Sequence, residues 1–450
     1  MHRVFRILSR TSTVAVLGLV SLSAQTPPAA GQDKPAAPAA QKPADAAKPK
    51  GPQWKDQAEY DMYSAVVKET DPKKKLALIN GWKDKYPETE YKLARLQLYL
   101  NAYQQLNDFP NLLATLNEML TMNPKDLTVM SPIMYYTMVS NDVSPASLAN
   151  AEKVANTAIA NLENKPATIN DDQWPQAKKQ IESLAHKTLG WVAMQRKTGD
   201  VAQQEFAKSL QIDPNQGEVD YWLGNTLRAE KTPEKISQAL FYYARAATYD
   251  GPGALTPQGR TQLDDYLRKA YNSYHGQDDA GLTELKTMAK SQPAPPPNFK
   301  VKTATEIAVE KEEEFKKTNP QLALWMGVKK MLTAPDGPQY FESQMKGTAV
   351  PPLKGKVISA KPPVRSKELV VGVADPNTPE ITLKLDAPLK GKPEIGEEIE
   401  FEGIPSAFQP DPFMITFDTE TAKIKGLTVK PAGPAPVQKK RATPTRKKAG

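Results

Sequence analysis

Cysteine is absent from all 450 residues of the chain. Its absence excludes disulfide bonds, cysteine nucleophiles, thiolate metal ligands and the lipid-modified cysteine of a bacterial lipoprotein. Histidine is scarce: His2, His186 and His275 are the three present, and none has a carboxylate or a cysteine next to it in the sequence. We therefore expect no zinc site and no Cys–His dyad.

Several sequence motifs of enzymes are also missing. The chain has no G-x-S-x-G elbow, no Walker-type glycine loop, no G-x-G-x-x-G after a strand and no H-E-x-x-H. We expect no catalytic residue, no metal and no cofactor, and hence a protein that is not an enzyme. Aspartate and glutamate total 51, so a hydrolase with an unrecognised pair of carboxylates remains an alternative.

The first residues have the pattern of a secretory signal. Arg3, Arg6 and Arg10 precede a nine-residue run, residues 14–22, that is apolar except for Ser21, and small residues follow it. This run is too short to span a bilayer, and the whole pattern is typical of a signal peptide over residues 1–24. The cleavage site stays open. The expected location is the periplasm or the exterior, with no transmembrane segment after cleavage.

Proline, alanine and lysine dominate two arms, residues 25–53 and 429–450, which we predict to be disordered. The second arm is basic and has no acid. Ten positive charges lie in this tail and in residues 1–10, so the formal charge of +8 leaves −2 for the rest. The basic pI of about 9.1 therefore does not indicate a nucleic-acid groove. The tail itself could bind an anionic envelope surface.

Between residues 54 and 291 the apolar positions follow a helical period, in segments that form six antiparallel pairs. Proline ends the second helix of several pairs, at Pro87, Pro124, Pro166 and Pro214. The predicted pairs are Gln57 to Lys68 with Asp71 to Tyr86, Tyr91 to Leu106 with Pro110 to Met122, Leu127 to Val139 with Pro145 to Leu162, a long helix from about Asp172 with one after Gly199, two helices around Pro233, and Gln258 to Tyr274 with Gly281 to Lys290.

Two neighbouring pairs carry a specific motif. A Leu-Gly pair on the first helix is followed on the second by alanine, an aromatic residue four positions later, and a further small residue or a closing proline. This spacing resembles the tetratricopeptide repeat (TPR), which implies an α-solenoid in which small residues let two helices touch. The residues implied in repeat packing are Leu189, Gly190, Ala202, Phe206 and Pro214 in one pair and Leu223, Gly224, Ala239, Tyr243 and Ala246 in the next.

The resemblance also implies a binding groove lined by the first helix of each pair. The residues at the groove positions are Lys187, Trp191, Met194, Gln195, Tyr221, Asn225 and Arg228. Such a mixture of aromatic, amide and cationic groups suits an extended peptide segment of a protein partner. The alternative is that Trp191 and Tyr221 pack between helices, as aromatic residues at helical spacing commonly do.

Consecutive prolines at 295–297 break the helical pattern, and we predict a proline linker with connector helices over residues 292–350. From residue 351 to 428 the apolar period changes to two, in five short runs. This pattern predicts a small antiparallel β-barrel that resembles an OB-fold, with an SH3-like barrel left open. Residues 351–429 hold ten basic and twelve acidic side chains, so we do not expect this domain to bind nucleic acid.

The sequence thus predicts a mainly α protein, a TPR-like α-solenoid followed by a small OB-like antiparallel β-barrel. Its expected function is that of an exported scaffold or adaptor that binds another protein through the groove. The alternatives are a cell-envelope attachment protein that acts through its basic tail and the carboxylate hydrolase.

Overall fold

The computed structural model describes Trp54 and residues 56–431. These residues form two compact units that divide between Ala304 and Thr305. The predicted signal peptide, the first proline-rich arm and the tail beyond Pro431 lie outside the described residues. In the part of the chain that is described, no helix is both long and apolar enough to cross a membrane.

The described residues of the first unit form a helical solenoid of six pairs of helices, in which each helix up to the eleventh packs against the next, and the twelfth packs on the tenth and is joined to the eleventh by ion pairs. The pairs are α1 (Gln57–Lys68) with α2 (Pro72–Lys85), α3 (Lys92–Leu106) with α4 (Phe109–Met122), α5 (Leu127–Ser140) with α6 (Pro145–Ala160), α7 (Trp174–Gln195) with α8 (Gly199–Ile212), α9 (Gly217–Ala229) with α10 (Pro233–Thr248), and α11 (Pro257–His275) with α12 (Asp279–Ser291).

The helix ends follow local chemistry that is readable in the sequence. The carboxylate of Asp71 accepts hydrogen bonds from the backbone N–H groups of Lys73 and Lys74, at 3.0 and 2.9 Å, and Pro72 occupies the first turn. Such a cap satisfies backbone donors that have no partner within the helix. Asn107 ends α3 in the left-handed conformation, with φ of 54°, which stops the helix without requiring glycine.

Glycine allows the two helices of a pair to approach closely in the fourth and fifth pairs. A Cβ atom on Gly190 would lie 2.5 Å from Cδ1 of Phe206, and one on Gly224 would lie 2.7 Å from Cε1 of Tyr243. The aromatic ring therefore occupies the space of the missing side chain. Most of the ten repeat-packing positions are buried; the two that are half-buried are Leu189 and Pro214.

A buried ion pair between α9 and α10 also contacts the turn before α9 and the C-terminal end of α12. Asp220 on α9 is fully buried, and its Oδ2 lies 3.5 Å from Nε of Arg245 on α10. The guanidinium of Arg245 also donates to the carbonyl oxygens of Pro214, Ala289 and Gln292, at 2.9, 3.2 and 2.7 Å. Burial raises the pKa of Asp220 well above its usual range, and Arg245 opposes this shift.

The proline-rich segment after α12 packs on the helices rather than acting as a free linker. Val301 is buried, and its N–H donates to the hydroxyl of Ser237 on α10 at 2.7 Å. Phe299 meets Phe241 edge to face, with ring centroids 5.4 Å apart. The prolines end the helix, as the sequence indicates, but the apolar residues that follow them find a partner on α10.

The predicted connector helices are part of the second unit. They are α13 (Ala304–Thr318), α14 (Pro320–Leu332) and α15 (Gly337–Tyr340), and a π-helical turn, Phe341–Met345, follows α15. Trp325, Leu332, Phe341 and Met345 belong to the same apolar core as the strands. Helix α14 and the turn after α15 therefore also contribute apolar residues to the core of the sheet.

The strands form an open sheet of seven strands in the order β6-β7-β3-β2-β1-β5-β8, with β4 and β9 paired separately. The sheet is not closed into a barrel, and β3 and β7 run parallel, so the expected closed antiparallel barrel needs correction on both points. The strands are β1 (Leu353–Lys361), β2 (Glu368–Gly372), β3 (Ile381–Leu385), β4 (Gly391–Pro393), β5 (Glu398–Phe401), β6 (Ile404–Pro410), β7 (Phe413–Thr419), β8 (Ile424–Lys425) and β9 (Val429–Pro431).

Three strands contain proline and were not recognised in the sequence. Gly391-Lys392-Pro393 resembles a turn but forms β4, and residues 429–431, assigned to the tail, form its partner β9. Strand β6 has a proline at position 405 and another at its end, and its pairing with β7 shifts register between Pro405 and Ala407. Proline is compatible with an edge strand or a bulge, so its presence here did not exclude a strand.

Candidate functional site

The first helices of pairs three to six present a continuous set of aromatic, amide and charged side chains, which we call the first-helix face. Within the described residues, the side chains on α7, α9 and α11 are linked by ion pairs, hydrogen bonds or ring contacts, and the one on α5 is near enough to Glu218 to feel its charge. Its members are Tyr135 on α5, Lys187 on α7, Glu218, Tyr221, Asn225 and Arg228 on α9, and Tyr266 on α11.

One end of the first-helix face is charged. Lys187 Nζ lies 2.8 Å from Oε2 of Glu218 and 5.2 Å from the centre of the Trp222 ring. The two charged side chains retain 18% and 21% of their exposure, so they are partly accessible. Burial raises the pKa of Tyr135, and the charge of Glu218 raises it further, so this phenol stays protonated and can donate a hydrogen bond.

The middle of the face is held by Asn225. Its Oδ1 accepts a hydrogen bond from the hydroxyl of the buried Tyr243 at 3.0 Å. Burial raises the pKa of Tyr221, and a hydrogen bond with Asn225 opposes that shift. The amide therefore joins two tyrosines and holds Tyr221, which is half-buried, at the surface of α9.

The other end of the face combines a cation with a ring. Arg228 is exposed; its guanidinium lies over the ring of Tyr266, 5.4 Å from the centroid, and donates to the Tyr266 hydroxyl. The Tyr266 ring stands edge-on to that of Tyr243, with centroids 5.2 Å apart. This arrangement holds the exposed guanidinium beside the ring, with a donor bonded to the Tyr266 hydroxyl.

The structure places the seven predicted groove residues in different environments. Lys187, Tyr221, Asn225 and Arg228 contribute to the first-helix face, and Met194 and Gln195 are half-buried near the end of α7. Trp191 is 1% exposed and lies in the apolar core, so assigning it to the groove was wrong. Its large ring fills space between the helices, which is the alternative that its helical spacing allowed.

Sequence reasoning missed Tyr135, Glu218 and Tyr266 as members of this surface. Tyr266 appears in the sequence only as one apolar position of a pair without the Leu-Gly motif. Its proximity to Arg228 depends on how α9 and α11 stack. Glu218 has a local signal, since it precedes Tyr221 by about one turn, but its pairing with Lys187 joins two different helix pairs.

Two of the histidines have carboxylate partners in space. His186 Nδ1 lies 2.6 Å from Oε2 of Glu205, and His275 Nε2 lies 3.3 Å from Oδ2 of Asp278. These partners come from the facing helix or the next turn, so the immediate sequence neighbours of each histidine do not reveal them. Among the described residues, no group of three or more histidines and carboxylates is placed to hold a metal ion.

The solved structures to which the chain is similar include three that share 12–13% identity with it. No protein-family model matches the chain, and no curated protein matches it. Among solved structures, it is similar to TTC0263, a thermophilic TPR protein of Thermus thermophilus, with 12% identity over 48% of this chain and 95% of that one and a TM-score of 0.27. It is also similar to PilF of Pseudomonas aeruginosa, with 12% identity over 59% and 95% and a TM-score of 0.31.

A third similar structure is PilW, described as a widely conserved type IV pilus biogenesis factor, with 13% identity over 53% of this chain and 92% of that one and a TM-score of 0.30. With TM-scores below 0.5, none of these similarities carries an argument about function.

Proposed function

We propose that the chain is a non-catalytic scaffold or adaptor whose first-helix face binds an extended segment of another protein. The observation that supports this most is the network from Asn225 through Tyr243 and Tyr266 to Arg228. It presents the half-buried ring of Tyr266 and an exposed guanidinium that contacts this ring.

The chemistry of the face suits a peptide in three respects. Tyrosine rings provide apolar contact with little loss of conformational freedom, and their hydroxyls bond to peptide carbonyls. The amide of Asn225 both donates and accepts, as a peptide backbone requires. Arg228 is suited to pair with a carboxylate in a two-pronged geometry. The expected partner is therefore an extended segment with an acidic residue or a terminal carboxylate.

Site-specific photocrosslinking in cells tests where the partner binds. A photoreactive phenylalanine analogue replaces Tyr266 on the first-helix face, and the control carries it at Val201, which is 50% exposed on a second helix. We expect the Tyr266 position to crosslink to one contiguous segment of one protein, and the Val201 position not to. Identical products from both positions would contradict the proposal.

The crosslinked segment, made as a synthetic peptide, then gives a quantitative test. Arg228→Ala is expected to weaken its binding by roughly 10- to 100-fold, the range for a central interface arginine. Arg268→Ala is the matched control, because Arg268 is also exposed but pairs with Asp279 on α12 at 2.9 Å. Equal affinity of the wild type and the Arg228 variant would overturn the assignment of the face.

For the second unit we propose an OB-like strand path. Three features support it: the antiparallel run β1-β2-β3, the parallel pair of β3 with β7, and the position of β5 beside β1. Only Glu402 and Gly403 separate β5 from β6, which pairs with β7 at the far end of the sheet order. β5 and β6 would therefore act as one bent strand that connects the β1 side of the sheet to its β7 edge, an OB-like path in a sheet that stays open.

We also propose export to the periplasm or the exterior, supported by the charged and apolar pattern of residues 1–24. The N-terminal sequence of the protein purified from its native source tests this. Export predicts a new N-terminus within or just after that pattern, whereas a mature chain that retains Met1 or His2 would contradict it.

A further inference from the structure

Exposed cations gather at one end of the sheet in the second unit. Lys361, at the end of β1, and Arg365 and Lys367, on the β1–β2 connection, are exposed, and so are Lys390 and Lys392 at the start of β4. The sequence hides this grouping, because the basic and acidic residues of the domain nearly balance. The fold separates them, since many of the acids lie along β5 and the segment before it.

Backbone hydrogen bonds hold the two loops together. The N–H of Arg365 donates to the carbonyl of Gly391 at 2.8 Å, and that of Leu389 donates to the carbonyl of Ser366 at 3.0 Å. Ser366 is fully buried, and its hydroxyl donates to the carbonyl of Pro362 at 2.6 Å. The five cations therefore belong to one anchored surface and not to two independent loops.

The nearby carboxylates are engaged with other groups. Asp386 accepts hydrogen bonds from the N–H and the hydroxyl of Thr421, at 2.8 and 2.7 Å. Glu394 pairs with Lys430 at 3.0 Å. Glu368 lies opposite Lys361 in the ladder and offsets part of the charge. Within residues 305–431, no salt bridge involves Lys361, Arg365, Lys367, Lys390 or Lys392.

Apolar groups accompany these cations. Val364 is 43% exposed, between two prolines and Arg365. Beside Lys390 a shallow depression of about 360 Å³ is lined mainly by apolar groups, from Ala387, Pro388, Leu389, Thr421 and Val429. Cations around exposed apolar side chains are the combination that binds the interface of an anionic membrane, where the charges meet headgroups and the apolar groups enter the boundary layer.

The sequence that follows β9 is also basic. Strand β9 ends at Pro431, whose partner in β4 is Gly391, between Lys390 and Lys392. The residues that follow, 432–450, contain six lysines and arginines and no acid. The basic sequence therefore continues directly from the cationic surface.

We propose that this surface, the cationic end (Lys361, Val364, Arg365, Lys367, Lys390 and Lys392), docks onto the anionic phosphate headgroups of a lipid bilayer. Lipid fits better than single-stranded nucleic acid, because neither loop, residues 361–367 or 386–394, contains an aromatic residue on which a base could stack. This site lies in the second unit and goes beyond the peptide-binding function proposed for the first.

Vesicle sedimentation with the full chain tests the proposal. The vesicles are phosphatidylcholine alone or phosphatidylcholine with phosphatidylglycerol, and we expect binding only to the second kind, weakening with salt. The variant Arg365→Ala/Lys390→Ala/Lys392→Ala is expected to lower the partition coefficient on the order of 100-fold, because each cation at an anionic surface contributes about fivefold. Val364→Ser should lower the binding that persists at high salt.

A matched control removes the same charge elsewhere in the unit. Lys346→Ala/Lys354→Ala/Lys425→Ala changes three exposed lysines outside the cationic end, and we expect only a severalfold loss. Both triple variants are repeated in a chain truncated after Pro431, where the difference between them should persist. Equal losses in the two variants, or no preference for anionic vesicles, would overturn the proposal. So would tighter binding to single-stranded RNA that the first triple variant alone abolishes.

Discussion

In the helical unit the contacts that set the packing join residues of one helix pair, such as Gly190 with Phe206. In the sheet unit a comparable anchor crosses a long stretch of chain. Glu380 is buried and accepts a hydrogen bond at 3.0 Å from the indole of Trp325, 55 positions away, and also one from Lys329. The N–H groups of Val373 and Ala374 donate to the same carboxylate.

The two units are stabilised by contacts of different range along the sequence. A solenoid adds up repeats that contact mainly their neighbours, so each pair carries its own packing signature. The sheet unit depends on one buried carboxylate that joins α14 to the start of β3, and no spacing within either segment reveals it. The same contrast applies to charge, because the cationic end is assembled from two loops that are separate in sequence.

The largest effect is expected at Arg245, a residue of the solenoid whose contacts join segments that are far apart in the sequence. Arg245→Met would leave Asp220 buried without its cation and three carbonyls without their donor, at a cost of about 3–5 kcal/mol. Hydrogen exchange measured by mass spectrometry should show faster exchange over α9 to α12, with the second unit unchanged.

The matched control for Arg245 is Arg260→Met, which removes one hydrogen bond to the carbonyl of Tyr249 and should cost far less. Adding Asp220→Leu to Arg245→Met should restore part of the loss, because the unpaired carboxylate is then gone. If the backbone amides of α9 to α12 exchange at the same rate in the single Arg245 variant as in the wild type, the ion pair does not stabilise these helices.

A smaller effect is expected for the carboxylate that anchors the sheet unit. Burial raises the pKa of Glu380, but hydrogen bonds from Lys329, Ala374 and Trp325 lower it more, so the net pKa lies below the ordinary value of 4.5. Its stabilisation is therefore complete above about that pH and is lost as the pH falls through the lowered pKa. Glu380→Gln should cost about 1.5–3 kcal/mol at neutral pH.

The pH dependence of hydrogen exchange shows whether the charge of Glu380 is what stabilises the unit. Exchange rates over α14 and β3 should differ between the wild type and Glu380→Gln at neutral pH, and the difference should shrink as the pH falls below 4.5. The helical unit of the same samples serves as the internal reference. A difference that stays constant with pH would show that the charge of Glu380 does not stabilise the unit.

The smallest effects are expected from replacing one glycine in each unit by alanine. Gly190→Ala should destabilise the fourth pair by about 1–3 kcal/mol, because the new Cβ overlaps the Phe206 ring. Gly327 on α14 has nothing within 4 Å of an added Cβ, so Gly327→Ala should stabilise its unit by about 0.5–1 kcal/mol. Opposite signs in thermal unfolding are expected, and equal signs would contradict the packing roles assigned here.

Much of the solenoid could be predicted because its signals are local. Helix caps such as Asp71, closing prolines such as Pro214 and the Leu-Gly spacing at Gly190 act within one or two turns. The sheet was harder to predict, since β6 contains Pro405 and was passed over, and the parallel pairing of β3 with β7 has no local signature. Of the candidate groove, Arg228 was predicted from the resemblance and stays a prediction, whereas its contact with Tyr266 depends on how the next pair stacks.

By itself, then, the sequence determined the helical pairs, their close contacts at glycine and the change to strands after residue 351, because backbone preferences and apolar periodicity are short-range. Only the tertiary structure decided that Trp191 is core, that Glu380 anchors a helix, and that Arg365 and Lys390 share a surface. Burial and charge clustering depend on which distant segments meet, and that is a property of the fold.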